Sequence, residues 1–122
     1  VKKVISSVVI GCLATFVPTS VFAATIVVAS DGTFLGVVDN NLYNTNSICN
    51  QYGQYGSPYG MGIFNRYGRY GGEYSQIGAY NERAQKPPLL IKDGQPIAIV
   101  TKNPNFQYRL DPDYLQQMAC RN

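Results

Sequence analysis

The feature that most constrains this chain is a tyrosine–glycine repeat in its middle. Asn50-Gln51-Tyr52-Gly53-Gln54-Tyr55-Gly56-Ser57-Pro58-Tyr59 recurs fifteen residues on as Asn65-Arg66-Tyr67-Gly68-Arg69-Tyr70-Gly71-Gly72-Glu73-Tyr74. Each unit is entered through a short apolar step, Ile48-Cys49, Ile63-Phe64 and Ala79-Tyr80, and each step is followed by Asn. The third copy stops at Asn81-Glu82-Arg83-Ala84, and Pro87-Pro88 imposes an extended exit. Neither the helical nor the strand period of apolar residues runs through this zone. Asn at the first position with Gly at the fourth is a turn pattern, because the Asn side chain bonds nearby backbone N–H groups. Residues 39–88 are therefore expected to form tight loops. Two and a half units are too few for a free-standing stack, so the apolar steps must pack on something else.

The flanking segments supply it. Thr25-Ile26-Val27-Val28-Ala29 and Thr33-Phe34-Leu35-Gly36-Val37-Val38 are joined through Ser30-Asp31-Gly32. Leu89-Leu90-Ile91 and Pro96-Ile97-Ala98-Ile99-Val100 are joined through Lys92-Asp93-Gly94-Gln95. Asp-Gly between apolar runs predicts a hairpin with a type I′ turn, in which both central residues take positive φ. Asp111-Pro112-Asp113 then opens Tyr114-Leu115-Gln116-Gln117-Met118-Ala119. Asp as N-cap with Pro at the first helical position is a helix start. The expected fold is a small α+β domain: an antiparallel sheet from two hairpins, Tyr/Gly repeat loops and one short C-terminal helix.

The N-terminus reads as an address. Lys2-Lys3, an apolar run from Val4 to Val17, Pro18, and Val21-Phe22-Ala23 match the three parts of a secretory signal, with cleavage expected after Ala23. The initial valine is read as an alternative start codon, which points to a bacterial gene. A retained membrane helix is disfavoured by Gly11, Pro18 and the interspersed hydroxyl residues. Val9-Ile10-Gly11-Cys12 loosely matches a lipoprotein signal, but Leu13 to Phe16 stay apolar where a polar linker normally follows. The domain expected after cleavage is 24–122, periplasmic or secreted. It retains Cys49 and Cys120 of the chain's 3 cysteines, an even pair that reads as a disulfide in an oxidising compartment.

The tandem I-x-N-x-Y-G-x-Y-G units, preceded by Asp31-Gly32-Thr33-Phe34-Leu35-Gly36-Val37-Val38 and followed by Pro87-Pro88 and Asp93-Gly94-Gln95-Pro96-Ile97-Ala98-Ile99-Val100, carry a resemblance. The mature chain resembles a family of small exported bacterial proteins with such repeats between two β-segments. Gly62 departs from the pattern, standing where a Ser often occurs. The resemblance implies export and architecture, and it brings no activity and no catalytic residue.

Composition narrows the chemistry. The 122 residues include no His and no Trp, which excludes a His general base and His-ligated zinc. The net charge of +3 is weak for a nucleic-acid binder, and loss of Lys2 and Lys3 brings the domain closer to neutral. Of the 7 carboxylates, Asp31 and Asp93 serve turns and Asp111 and Asp113 a helix start. Asp39, Glu73 and Glu82 remain, and a carboxylate-dependent glycan hydrolase would need two of them, Glu73 and Glu82, across a cleft. Lys86, Lys92 and Lys102 have no motif linking them to Ser47, Ser57 or Ser75 as nucleophiles. No EF-hand spacing is present, so no metal or other cofactor is expected.

Tyrosine is the remaining candidate. The Tyr spacing follows the turns rather than one face, which favours rings that build a core in a chain without Trp. If the rings face solvent, Tyr52, Tyr55, Tyr67 and Tyr70 with Arg66 and Arg69 are the contact candidates, because Tyr-rich loops bind versatile partners. The expected role is a non-enzymatic structural or binding module of the bacterial envelope or exterior. Its partner would be an envelope glycan or another protein rather than nucleic acid.

Overall fold

The computed structural model describes residues 24–121, so the expected leader, with Cys12, lies outside the described residues. Five strands form one sheet: β1 (Thr25–Val28), β2 (Phe34–Val37), β3 (Leu89–Lys92), β4 (Gln95–Val100) and β5 (Arg109–Leu110). One helix, α1 (Pro112–Ala119), follows. The strand order is β2-β1-β3-β4-β5. Antiparallel pairing of β1 with β3, Ile26 opposite Ile91 and Val28 opposite Leu89, joins the two expected hairpins across the whole repeat zone. The fold is α+β, as the sequence implies, but its sheet is mixed. The loop after β4 returns to lay β5 parallel to it, Ile99 opposite Arg109.

The two Asp-Gly turns differ. Asp93 and Gly94 have φ of 54° and 81°, the type I′ geometry expected. In the first turn Gly32 alone is left-handed, at φ 89°. There the Asp31 carboxylate accepts the Thr33 N–H at 3.0 Å, and Gly32 N–H closes the turn on the Ala29 carbonyl at 2.9 Å. This is a turn followed by a left-handed glycine, a three-residue loop rather than type I′. Pro96 sits in β4 where the register with β3 shifts, an irregularity that tolerates its missing N–H.

The core lies between sheet and repeats. Val27, Leu35, Leu90 and Val100 come from the sheet and Leu115 from α1. Ile48, Cys49, Ile63, Phe64, Ala79 and Tyr80, the three apolar steps, complete it. Burying Val, Leu, Ile or Phe side chains in this way contributes about 1.5–3 kcal/mol each. Gly36 marks the seam: its φ is +117°, and a Cβ there would stand 2.8 Å from Ile48 Cγ2 and 2.9 Å from Tyr55 Cβ. Asp111 caps α1 by accepting the Asp113 N–H at 2.8 Å, with Pro112 in the first turn. A disulfide joins Cys49 to Cys120, 71 residues apart, and pins the first apolar step to the helix end. Among the described residues no helix is long and apolar enough to cross a membrane.

Candidate functional site

The repeat is built by asparagines that work at both ends of the side chain. Asn50, Asn65 and Asn81 each accept, through Oδ1, the N–H two residues on, at 2.9, 3.0 and 2.9 Å. Through Nδ2 they donate back to the carbonyls of Asn44, Gly60 and Ser75, at 3.3, 2.7 and 2.9 Å. Asn103, after β4, repeats the device: it accepts from Asn105 N–H and donates to the Ala84 carbonyl. A carboxylate could make the first bond but not the second, which explains why Asn and not Asp stands at these positions.

The repeat glycines divide between two duties, only one of which the turn pattern suggests. None in the repeat has positive φ. A Cβ on Gly56 would lie 2.1 Å from the Asn50 carbonyl oxygen, and one on Gly71 would lie 2.4 Å from those of Asn65 and Ile63. These glycines let one segment of the unit cross directly against another. Gly53 and Gly68 close the Asn turns instead, donating to the Asn50 and Asn65 carbonyls at 3.1 Å.

This geometry divides the tyrosines into two sets. Tyr52 and Tyr67 are 97% and 95% exposed, Tyr59 and Tyr74 are 88% and 93%, and Tyr43 is 89%. All five occupy the third position of a turn closed by a bond from the fourth N–H to the first carbonyl. Tyr55, Tyr70 and Tyr80 are packed. The Tyr55 ring meets Phe34 edge-on at 5.2 Å. The Tyr70 hydroxyl donates to Asp31 at 3.1 Å and lies 3.2 Å from Thr33 Oγ1. Tyr80 belongs to the core and donates to Asp113 at 2.7 Å. The six contact candidates therefore do not share a face. Tyr52 and Tyr67 face solvent, while Tyr55 and Tyr70 brace the repeat against the first hairpin. Of the eight repeat-zone tyrosines only Tyr80 belongs to the core and Tyr70 packs against it; Tyr55 is half-buried against Phe34, and the expectation of core-building rings is overturned for the five exposed ones.

Arg66 and Arg69 do not form a stripe with exposed rings either. Arg69 pairs with Asp31 at 3.8 Å and lies over Tyr70, its guanidinium carbon 5.9 Å from the ring centre. Arg66 lies over the Tyr80 ring at 4.2 Å and pairs with Glu73 at 3.7 Å and Asp113 at 3.6 Å. Lys102 completes this cluster, donating to Asp111 at 2.9 Å and to Asp113 at 2.8 Å. Burial alone would raise Asp113, but the Lys102 and Tyr80 hydrogen bonds and the Lys102 and Arg66 charges outweigh it and hold the carboxyl below its ordinary range. The Asp113 hydrogen bond holds Lys102 above its ordinary value, against its partial burial. Burial first, then the Asp113 hydrogen bond and charge, push the Tyr80 hydroxyl well above that of a free phenol. Tyr80 is thus a fixed donor, not a base.

A cleft of about 540 Å³ opens over this cluster, lined by Arg66, Glu73, Tyr80, Glu82, Arg83 and Lys102 among others. Glu73 and Glu82, the candidate hydrolase pair, share it. Both are exposed, and Glu73 pairs with Arg66. Asp39 accepts from Asn44 Nδ2 at 2.8 Å and Asn41 N–H at 3.0 Å. Those bonds, the Asn44 one foremost, hold it below its ordinary value. Ser47 is buried and bonded to the Asp39 carbonyl and the Cys49 N–H.

A second concavity lies at the start of the repeat, about 400 Å³, lined by Leu42, Tyr43, Cys49, Asn50, Gln51 and Tyr52. The sequence reading missed Leu42 and Tyr43 because they precede the first recognisable unit. Its signal was Asn41-Leu42-Tyr43-Asn44, a turn of the same build as Asn50-Gln51-Tyr52-Gly53. Comparison with protein-family models, with curated proteins and with solved structures finds no match to this chain.

Proposed function

We propose that the protein is an exported, non-enzymatic binding module of the bacterial envelope or exterior, and that its exposed tyrosines are the contact surface. One observation carries this reading: five tyrosines at turn corners are 88–97% exposed and add nothing to the core. Tyr offers a large, stiff, amphipathic surface at low entropic cost, the same economy that antibody loops exploit. The Cys49–Cys120 disulfide supports export, since such bonds persist in oxidising compartments. Sedimentation with purified peptidoglycan sacculi tests it. The protein co-sediments, and a variant with Tyr43, Tyr52, Tyr59, Tyr67 and Tyr74 all changed to Ser stays in the supernatant with an unchanged melting temperature. Equal co-sedimentation of that variant overturns the reading.

A second reading, a carboxylate-dependent glycan hydrolase, has one observation in its favour: Glu73 and Glu82 line the same cleft. It requires release of reducing ends from sacculi that Glu73→Gln abolishes. Absence of any release removes it.

A further inference from the structure

The concavity at Tyr43 and Tyr52 differs chemically from the cleft at Arg66. The Arg66 cleft is walled by charges, most of them paired with one another. The Tyr43–Tyr52 concavity has no ionisable carboxylate, ammonium or guanidinium in its lining. Two nearly bare rings stand beside it, 89% and 97% exposed, and Leu42 lines it, 42% exposed. Gln51 also lines it and is exposed.

The rings are carried on a rigid base. Tyr43 N–H donates to Asn41 Oδ1 at 3.0 Å and Tyr52 N–H to Asn50 Oδ1 at 2.9 Å. Cys49 beneath them is tied to α1 by the disulfide. Backbones fixed in this way reduce the ordering cost that binding would otherwise pay. Asn50 is buried, its amide donating to the Asn44 carbonyl, so Gln51 is the exposed lining amide that can meet a ligand.

From these features we infer that the Tyr43–Tyr52 concavity is a saccharide subsite for an uncharged glycan. This rests on the reading of the exposed tyrosines as the contact surface and assigns them a ligand class. Tyr rings and Leu42 offer apolar faces to the C–H faces of pyranose rings. The Gln51 amide offers one acceptor and two donors, matching hydroxyls that both give and take hydrogen bonds. An anionic polymer would find no cation in this lining to compensate its desolvation. The volume is in the range of small-ligand sites, of the order of 300–1,000 Å³.

The test is heteronuclear NMR of the full domain with ¹³C-labelled tyrosine rings. Chitotetraose and cellotetraose are the uncharged probes, tetragalacturonate is the anionic one, and a proline-rich decapeptide is the competing class. An uncharged tetrasaccharide at roughly 10 mM shifts the Tyr43 and Tyr52 ring resonances and leaves those of Tyr67 and Tyr74 in place, as weak binding of order 1 mM would. Tyr43→Ala and Tyr52→Ala each weaken the interaction by about tenfold, the loss typical of one stacking ring. Gln51→Ala weakens it less, and Tyr114→Ala, an exposed ring on α1 outside the contact surface, leaves it unchanged, all with unaltered melting temperatures. No shift with either uncharged sugar, equal affinity in the Tyr43 and Tyr52 variants, or stronger binding of tetragalacturonate or the peptide overturns the inference. Should sacculus binding then still depend on the five exposed tyrosines, the broader reading survives and only the ligand class falls.

Discussion

Replacing Gly56 with alanine isolates the packing logic of the repeat. The added Cβ would lie 2.1 Å from the Asn50 oxygen, 2.6 Å from its carbonyl carbon and 2.7 Å from the Ile48 oxygen. All three are backbone atoms, so relief requires moving a segment by about 1 Å rather than rotating a side chain. The displaced carbonyl is the one that accepts the Gly53 N–H at 3.1 Å, next to the disulfide-bonded Cys49. Overpacking of a rigid site costs about 1–3 kcal/mol, and the weakened turn bond adds about 1 kcal/mol. The stiffer unfolded chain returns about 0.4–1 kcal/mol. A net loss of about 2 kcal/mol follows, which lowers the melting temperature by roughly 8–16 °C in a domain of this size.

Gly53→Ala is the matched control. Its Cβ would meet the Thr45 oxygen at 3.1 Å and the Asn50 side chain at 3.4 Å, contacts that small shifts relieve. It should stay within about 1 kcal/mol of the parent. Urea denaturation followed by circular dichroism reads both. If Gly56→Ala proves as stable as Gly53→Ala, the repeat glycines are not there for close approach and the explanation given for them is wrong.

Three further outcomes follow from the same geometry. Asn81→Asp exchanges the donor to the Ser75 carbonyl for an oxygen at a site only 7% exposed, costing about 2–4 kcal/mol at neutral pH. Burial raises the new carboxyl in the folded state, so the gap between variant and parent should narrow as pH falls through the carboxylate range, read by urea titrations at several pH values. Cys49→Ser should cost about 4 kcal/mol, since the bridge closes a 71-residue loop, and reductant should bring the parent to the same midpoint. Asp39 and Asp113 are held below 3.8, so the stability they confer is complete above that value and is lost as pH falls through their lower folded-state values. Acid titration of the melting temperature should show this loss, and Asp39→Asn should remove part of the acid limb.

How far the sequence revealed the fold depends on whether a feature is local. The two hairpins announce themselves through Asp-Gly between apolar runs, and the helix through Asp111-Pro112. The disulfide follows from the even pair of cysteines that remains once residues 1–23 are read as a secretion signal. Strand β5 could not be read, because two residues, Arg109 and Leu110, carry no alternation and owe their conformation to bonds such as Ile99 N–H to the Tyr108 carbonyl. The cluster of Arg66, Tyr80, Lys102 and Asp113 draws on the second unit, the third, the β4 exit and the helix start, with no spacing to betray it.

Tyrosine exposure was hidden for a subtler reason. Cys49, Phe64 and Tyr80 occupy the same third position of a closed turn as Tyr52, Tyr59, Tyr67 and Tyr74, yet they are buried. What separates the two sets is which corner of the unit meets the sheet, and that is a property of the assembled fold. The same holds for Tyr55 and Tyr70, whose partners Phe34, Asp31 and Thr33 lie in the first hairpin.

The repeat sorts its tyrosines into bracing rings and exposed rings, and the exposed ones are proposed to make the contacts. Tetranitromethane nitration mapped by peptide mass spectrometry, with and without bound sacculi, addresses both halves at once. Rapid modification of Tyr43, Tyr52, Tyr59, Tyr67 and Tyr74 is expected in the free protein, with slow modification of Tyr80 and protection of Tyr43 and Tyr52 when sacculi are bound. Equal rates at Tyr80 and Tyr52, or no protection of any exposed tyrosine by bound sacculi, would contradict that division.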